Sequence, residues 1–139
     1  MPAAIEWRLG RLAEAGYPRE VCGVLLGRSA AGETVPVTVL QIANRNRQRA
    51  HDRYEMDPRG LLAAEKEARR RELDIVAIWH THPDHPARPS ATDLAAAWEG
   101  WSYVIVPVTR GGAGALRSWR LIGNRFVEEG VTREEGAQP

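Results

Sequence analysis

The segment HTHPDHPARPSATD, residues 80–93, holds three histidines, two aspartates and a serine in fourteen positions, with three prolines among them. Imidazole nitrogens and carboxylate oxygens are the donor set that suits zinc, and a catalytic zinc keeps three protein ligands plus one open position. His80 and His82 stand two apart at the end of an apolar run. On a strand they point to the same face with Cα atoms roughly 6.6 Å apart, close enough for both rings to reach one ion. The third ligand stays open at this level: Asp84 and His85 are near in sequence, and Asp93 lies further on. Ser90-Ala91-Thr92-Asp93 also fits a helix N-cap with an acid at N3. A cap and a ligand are compatible roles for neighbouring atoms.

The elements that would carry these side chains are legible as well. DIVAIWHTH (74–82) is β-branched and apolar and reads as a central strand. PDHPARP (83–89) is a proline-stiffened loop, followed by a helix from Ala91 to Trp98. Upstream, residues 3–16 set Ile5, Leu9, Leu12 and Ala13 on one helical face, with Gly16 as a stop. Residues 21–27 and 34–43 read as strands, 44–53 as a polar, basic loop, and 54–57 as a short strand. Pro58 suits the first turn of a helix whose apolar face runs from Leu61 and Leu62 through Ala64 to Ala68. Downstream, residues 102–108, 115–123 and 125–129 read as strands, with GGAG (111–114) as a hairpin turn. The pattern supports a mixed sheet with a few helices, α/β or α+β.

At 139 residues the chain is one domain by length, with a tail from Gly130 that is polar and frayed. The net charge of +1 makes the molecule no electrostatic magnet for nucleic acid. Cys22 is the sole cysteine, which excludes an internal disulfide and fits a reducing compartment. A buried structural thiol is its expected role. No apolar run approaches the roughly 20 residues of a membrane span, and the N-terminus lacks the pattern of a secretory signal. A cytoplasmic protein is expected. Trp79, Trp98, Trp101 and Trp119 read as core or rim aromatics. Arg45, Arg47, Arg49, His51 and Arg53 form a basic loop, read as solvated surface, with an acidic patch on a protein substrate as the other use.

His80-Thr81-His82-Pro83, a spacer of six, then Ser90-x-x-Asp93 resembles the JAMM motif of the MPN-domain metallopeptidases. That family carries a glutamate far upstream, just ahead of a glycine and an apolar strand, and PREVCGVLLG (18–27) supplies Glu20 at that place. By itself Glu20 reads as a solvated acid at a strand start. The resemblance spans Glu20 to Val108 and is closest to the small prokaryotic single-domain members. It implies an MPN fold, which is cytidine-deaminase-like, over residues 1–129. It implies Zn2+ held by His80, His82 and Asp93, with Glu20 as general base and Ser90 as oxyanion donor. The implied reaction is hydrolysis after the C-terminal Gly-Gly of a ubiquitin-like sulfur-carrier protein, freeing it from a lysine conjugate, a fusion or a cysteine adduct, with a homodimer as one possible assembly. Thr81 stands where the family often has serine, and His85 is outside the motif. The rival reading is a non-catalytic MPN scaffold, but scaffolds usually lack one or more of the five motif residues, all present here. A zinc deaminase would need a Cys-x-x-Cys pair, which one cysteine excludes.

Overall fold

The computed structural model describes residues 1–30, 32–98 and 101–133. Its centre is a seven-stranded mixed sheet with helices on both faces. The elements in chain order are α1 (Ala3–Gly16), β1 (Cys22–Ala30), β2 (Glu33–Ile42), α2 (Pro58–Arg70), β3 (Asp74–Pro83), α3 (Ala91–Ala96), β4 (Ser102–Thr109), β5 (Gly112–Ala113), β6 (Arg117–Ile122) and β7 (Arg125–Glu129). The strand order is β2-β1-β3-β4-β6-β7, with β5 paired to β4. Only β3 and β4 run parallel. A parallel pair needs a crossover, and the crossover here is the histidine segment with α3.

Alternation along the inner strands sorts side chains between two cores. Ala77 and Trp79 of β3 join Ile5, Leu9 and Ala13 of α1 on one face. Ile78 joins Val24, Leu26, Ala64 and Ala68 on the α2 face. His80 and His82 continue the Ile78 row, so the strand's parity places both on the α2 face at the carboxyl end of β3. The apolar run of β1 is buried from Cys22 to Gly27, as a strand covered on both sides must be. Asp57 caps α2 by accepting from the Arg59 amide, with Pro58 in the first turn.

Local departures from the sequence reading are found in α3, α2, the segment before α2 and the tail. α3 ends at Ala96 rather than Trp98, and none of its residues is buried; a helix this short has no packing face to extend it. Trp98 is 72% exposed. Leu62 faces solvent, and the small Ala64 and Ala68 make the α2 contact instead. Residues 54–57 form no strand, only one bridge between Asn44 and Met56. The beginning of the tail is held: Val131 packs on the α1 core, the Met1 amine donates to Thr132 O, and Arg133 pairs with Glu6 at 3.0 Å. The rest of the tail, 134–139, lies outside the described residues.

Gly23 is dictated by a close crossing. The Trp79 indole reaches over β1 to donate to Leu40 O of β2 at 3.2 Å. A Cβ on Gly23 would lie 1.9 Å from Leu40 O and 2.7 Å from the indole nitrogen. Gly23→Ala should therefore lower stability by about 3 kcal/mol, the upper part of the range for overpacking. Thermal unfolding checks this: an unchanged Tm would mean that the crossing relaxes freely.

Candidate metal centre

β3 delivers His80 and His82, both buried. The prolines then turn the chain back so that the first turn of α3 presents Asp93. The three groups converge on one point. His80 Nε2 and His82 Nε2 are 3.1 Å apart, and Asp93 Oδ2 lies 3.3 Å from the first and 3.1 Å from the second. Zn–N bonds of about 2.0–2.1 Å make the edge of a tetrahedral ligand set roughly 3.3–3.4 Å. The observed triangle is nearly that face.

The chemistry of the donors also fits a cation. His82 Nδ1 lies 2.8 Å from Pro86 O, and an acceptor there assigns the ring's proton to Nδ1. Neutral His82 then turns an Nε2 lone pair toward Asp93 and His80. Lone pairs from three atoms repel at these distances unless a proton or a cation sits among them. The pKa of His82 registers this: burial lowers it, but hydrogen bonds to Asp93 and Pro86 prevail and raise it above the ordinary value. His80 is fully enclosed, and burial holds its pKa below the ordinary value. Burial would raise Asp93, yet hydrogen bonds from His80, His82 and the Ser90 amide hold it well below the usual carboxylate range.

The capping oxygen is also the one that faces the histidines. Ser90 Oγ accepts from the Asp93 amide at 3.0 Å, and Asp93 Oδ2 accepts from the Ser90 amide at 2.8 Å, a complete capping box. Oδ2 is also the atom facing both imidazoles. The cap holds the carboxylate in the orientation that a ligand needs. Ser90 itself is exposed, and its hydroxyl hydrogen has no acceptor among the described residues.

Glu20 sits just before β1, 4% exposed. An oxygen of its carboxyl lies within 4.8 Å of ring nitrogens of both histidines. Its Oε1 is buried without a hydrogen-bond partner among the described residues. Burial pushes its pKa up to about 8, opposed by His82 and assisted by Asp93 and Asp52. Thr81, between the two histidines, faces the opposite way and ties down the next residue: its Oγ1 accepts from the Val21 amide at 2.9 Å, and its amide donates to Val21 O at 3.0 Å.

The remaining candidates fall outside the triangle. His85 is exposed and meets His82 only edge to face at 6.5 Å. Asp84 points away, accepting from the Tyr17 hydroxyl at 2.9 and 3.0 Å, with its backbone in the left-handed region at φ 60°. Cys22 donates to Ile42 O, and burial lifts its thiol to about 12, so it is an inert structural group. In the basic loop Arg49 pairs with Asp52, and Arg45 lies 3.9 Å from Glu55. Sequence reasoning missed Tyr54, whose ring stacks on His80 at 4.4 Å and 22°. Its only signal was a lone aromatic in a polar loop.

Residues 2–122 match the family model described as prokaryotic homologs of the JAB domain. The chain is 35% identical over 118 residues to the desampylase of Haloferax volcanii, covering 84% of this chain and 80% of that protein. It is 34% identical over 88 residues to a probable TtuB-protein conjugate cleaving protease of Thermus thermophilus, 63% of this chain and 55% of that one. It is 29% identical over 119 residues to the CysO-cysteine peptidase of Mycobacterium tuberculosis, 83% and 77% of the two chains. A JAB1/MPN domain protein from Archaeoglobus fulgidus has the same fold, with a TM-score of 0.60 at 14% identity over 96% of this chain and 97% of that one. The α/β sheet with a metal-type site at the end of a central strand is thus the JAB/MPN architecture. This chain belongs to the prokaryotic JAB-domain family and is a peptidase of the JAMM type.

The buried acid makes a pH prediction. Folded, Glu20 keeps its proton up to about pH 8, whereas its ordinary value is 4.5. The folded state then binds more protons than the unfolded one, so this group's stability is full below pH 4.5 and drains as pH rises toward 8. Metal-free protein should lose stability over that window relative to Glu20→Gln. Parallel melting curves for the two would contradict the desolvation argument.

Proposed function

We propose that this chain hydrolyses the bond after the C-terminal Gly-Gly of a ubiquitin-like sulfur-carrier protein, using zinc held by His80, His82 and Asp93. The carrying observation is the near-tetrahedral triangle of two Nε2 atoms and one carboxylate oxygen, with an unpaired buried acid beside it. The names of the relatives support the substrate class: one is a probable TtuB-protein conjugate cleaving protease, another a CysO-cysteine peptidase. Residues 1–129 form the catalytic unit, with 130–139 as a polar extension. Among the described residues no helix is long and apolar enough to cross a membrane. A cytoplasmic setting, where the single buried thiol stays reduced, belongs to the same reading.

A bound zinc supplies Lewis acidity, lowering the pKa of water to about 7 and polarising a carbonyl. The protein's own groups do the rest. Asp93 is the one anionic ligand, so the site keeps net positive charge. Glu20 takes a proton from the attacking water and returns it to the departing amine. A cation held beside Glu20 favours the carboxylate form, which is the form that can accept the proton. Ser90 uses a lone pair for the cap, which leaves its hydroxyl hydrogen for the developing oxyanion. An extended glycine tail is the natural guest: it brings no side chain that must clear the capped turn of α3.

Full-length protein should release a Gly-Gly-ended carrier from a model conjugate, and a chelator should stop it. Glu20→Gln should keep one zinc per chain and lose turnover; activity near wild type would remove Glu20 as the base. His82→Ala should lose the metal too. A scaffold would instead purify with far less than one zinc and cleave nothing. Ser90→Ala should cost about 1 kcal/mol of stability as a lost cap and lower kcat by roughly 10². Retained kcat with a lowered Tm would leave Ser90 as a cap alone.

A further inference from the structure

Glu20 lies outside the regular ladder of β1, so something other than sheet pairing must fix its height beside the histidines. The Asn44 side chain does this at the start of the loop between β2 and α2. Its amide has two donors and an oxygen with two lone pairs, and all four are used. Nδ2 donates to Glu20 O and to Arg53 O, each at 3.0 Å. Oδ1 accepts from the Asn46 amide at 3.0 Å and the Glu55 amide at 2.9 Å. The two partners Arg53 and Glu55 flank Tyr54, so the peptide on either side of that residue is pinned. Tyr54 then lays its ring on His80. A single amide thus joins the backbone of the acid to the residue that covers a ligand ring.

We propose that Asn44 is a positioning residue for the hydrolytic reaction, holding Glu20 at working distance from the metal ligands and seating Tyr54 on His80. The proposal rests on the assignment of Glu20 as general base. The donor half of the amide serves the acid and Arg53 O, and the acceptor half serves the loop amides of Asn46 and Glu55. The loop ends are also closed by backbone bonds, Arg45 N to Glu55 O at 2.8 Å and Asp57 N to Ala43 O at 3.0 Å. The loop therefore does not depend on Asn44 alone.

Asn44→Asp separates the two halves. A carboxylate of the same shape still accepts from Asn46 and Glu55, but it meets Glu20 O and Arg53 O with oxygen against oxygen. In the zinc-loaded full chain, kcat on a Gly-Gly conjugate should fall roughly 10- to 100-fold, as for a small misplacement of a reacting group, with KM within about twofold. Zinc content should stay at wild-type level. Amide exchange should rise at Glu20, whose N–H donates to Ala50 O, and stay slow at Asn46 and Glu55. Asn44→Ala should lose protection at all three. Turnover of Asn44→Asp within twofold of wild type, or lost zinc together with a collapsed Tm, overturns the proposal in favour of a loop clamp only. If wild type itself cleaves no conjugate, the substrate reading fails separately. The exchange pattern still decides, since unchanged exchange at Glu20 in Asn44→Asp refutes the positioning role.

Discussion

The centre of this protein depends on one electrostatic conflict. A carboxylate oxygen of Asp93 stands about 3 Å from two imidazole nitrogens that already stand as close to each other. In a dry pocket such an arrangement is unfavourable by itself, because donors and acceptors do not balance. One proton relieves one contact; a divalent cation relieves all three. The rest of the site is built to keep the conflict in place. Pro86 O fixes the proton of His82 on the far nitrogen, and the Ser90 amide holds the carboxylate in its turn. β-Ladder pairing on both sides of β3 keeps the two rings from swinging apart.

The fold meets these demands with few long-range constraints. Strand parity puts both histidines on the α2 face, and Thr81, facing the other way, fastens the segment that carries Glu20 to the ligand strand. Glu20 and His80 are therefore coupled through the two Val21–Thr81 hydrogen bonds, although sixty residues separate them in sequence. The Trp79 crossing over Gly23 locks the same three strands together from beneath. His80 and His82 thus sit on a buried stretch of the sheet, while Ser90 and Trp98 reach solvent.

Sequence carried the site to the extent that its geometry is local. His-x-His on a strand and Ser-x-x-Asp on a helix start are short-range patterns whose spacing fixes direction, and both are found in the expected elements. Glu20 could be placed only through resemblance, because its neighbours come from strands and loops far along the chain. Tyr54 and Asn44 were invisible for the same reason: a tyrosine and an asparagine in a polar loop have no period, and their partners lie up to 26 residues away (Tyr54 to His80). The end of α3 and the outward Leu62 were misjudged where apolar character lacked a packing surface.

The loop between β2 and α2 adds a further consequence. His80 and Glu20 are buried partly by this loop, through the Tyr54 ring on one and Ala50 O and Asn44 on the other. Burial is also the leading cause of the raised pKa of Glu20. The loop therefore contributes to the shielding of the acid, alongside the charges of His82 and Asp93. The His80–His82–Asp93 triangle is held by β3 and α3, and the loop touches it only through the Tyr54 ring on His80 among the contacts described.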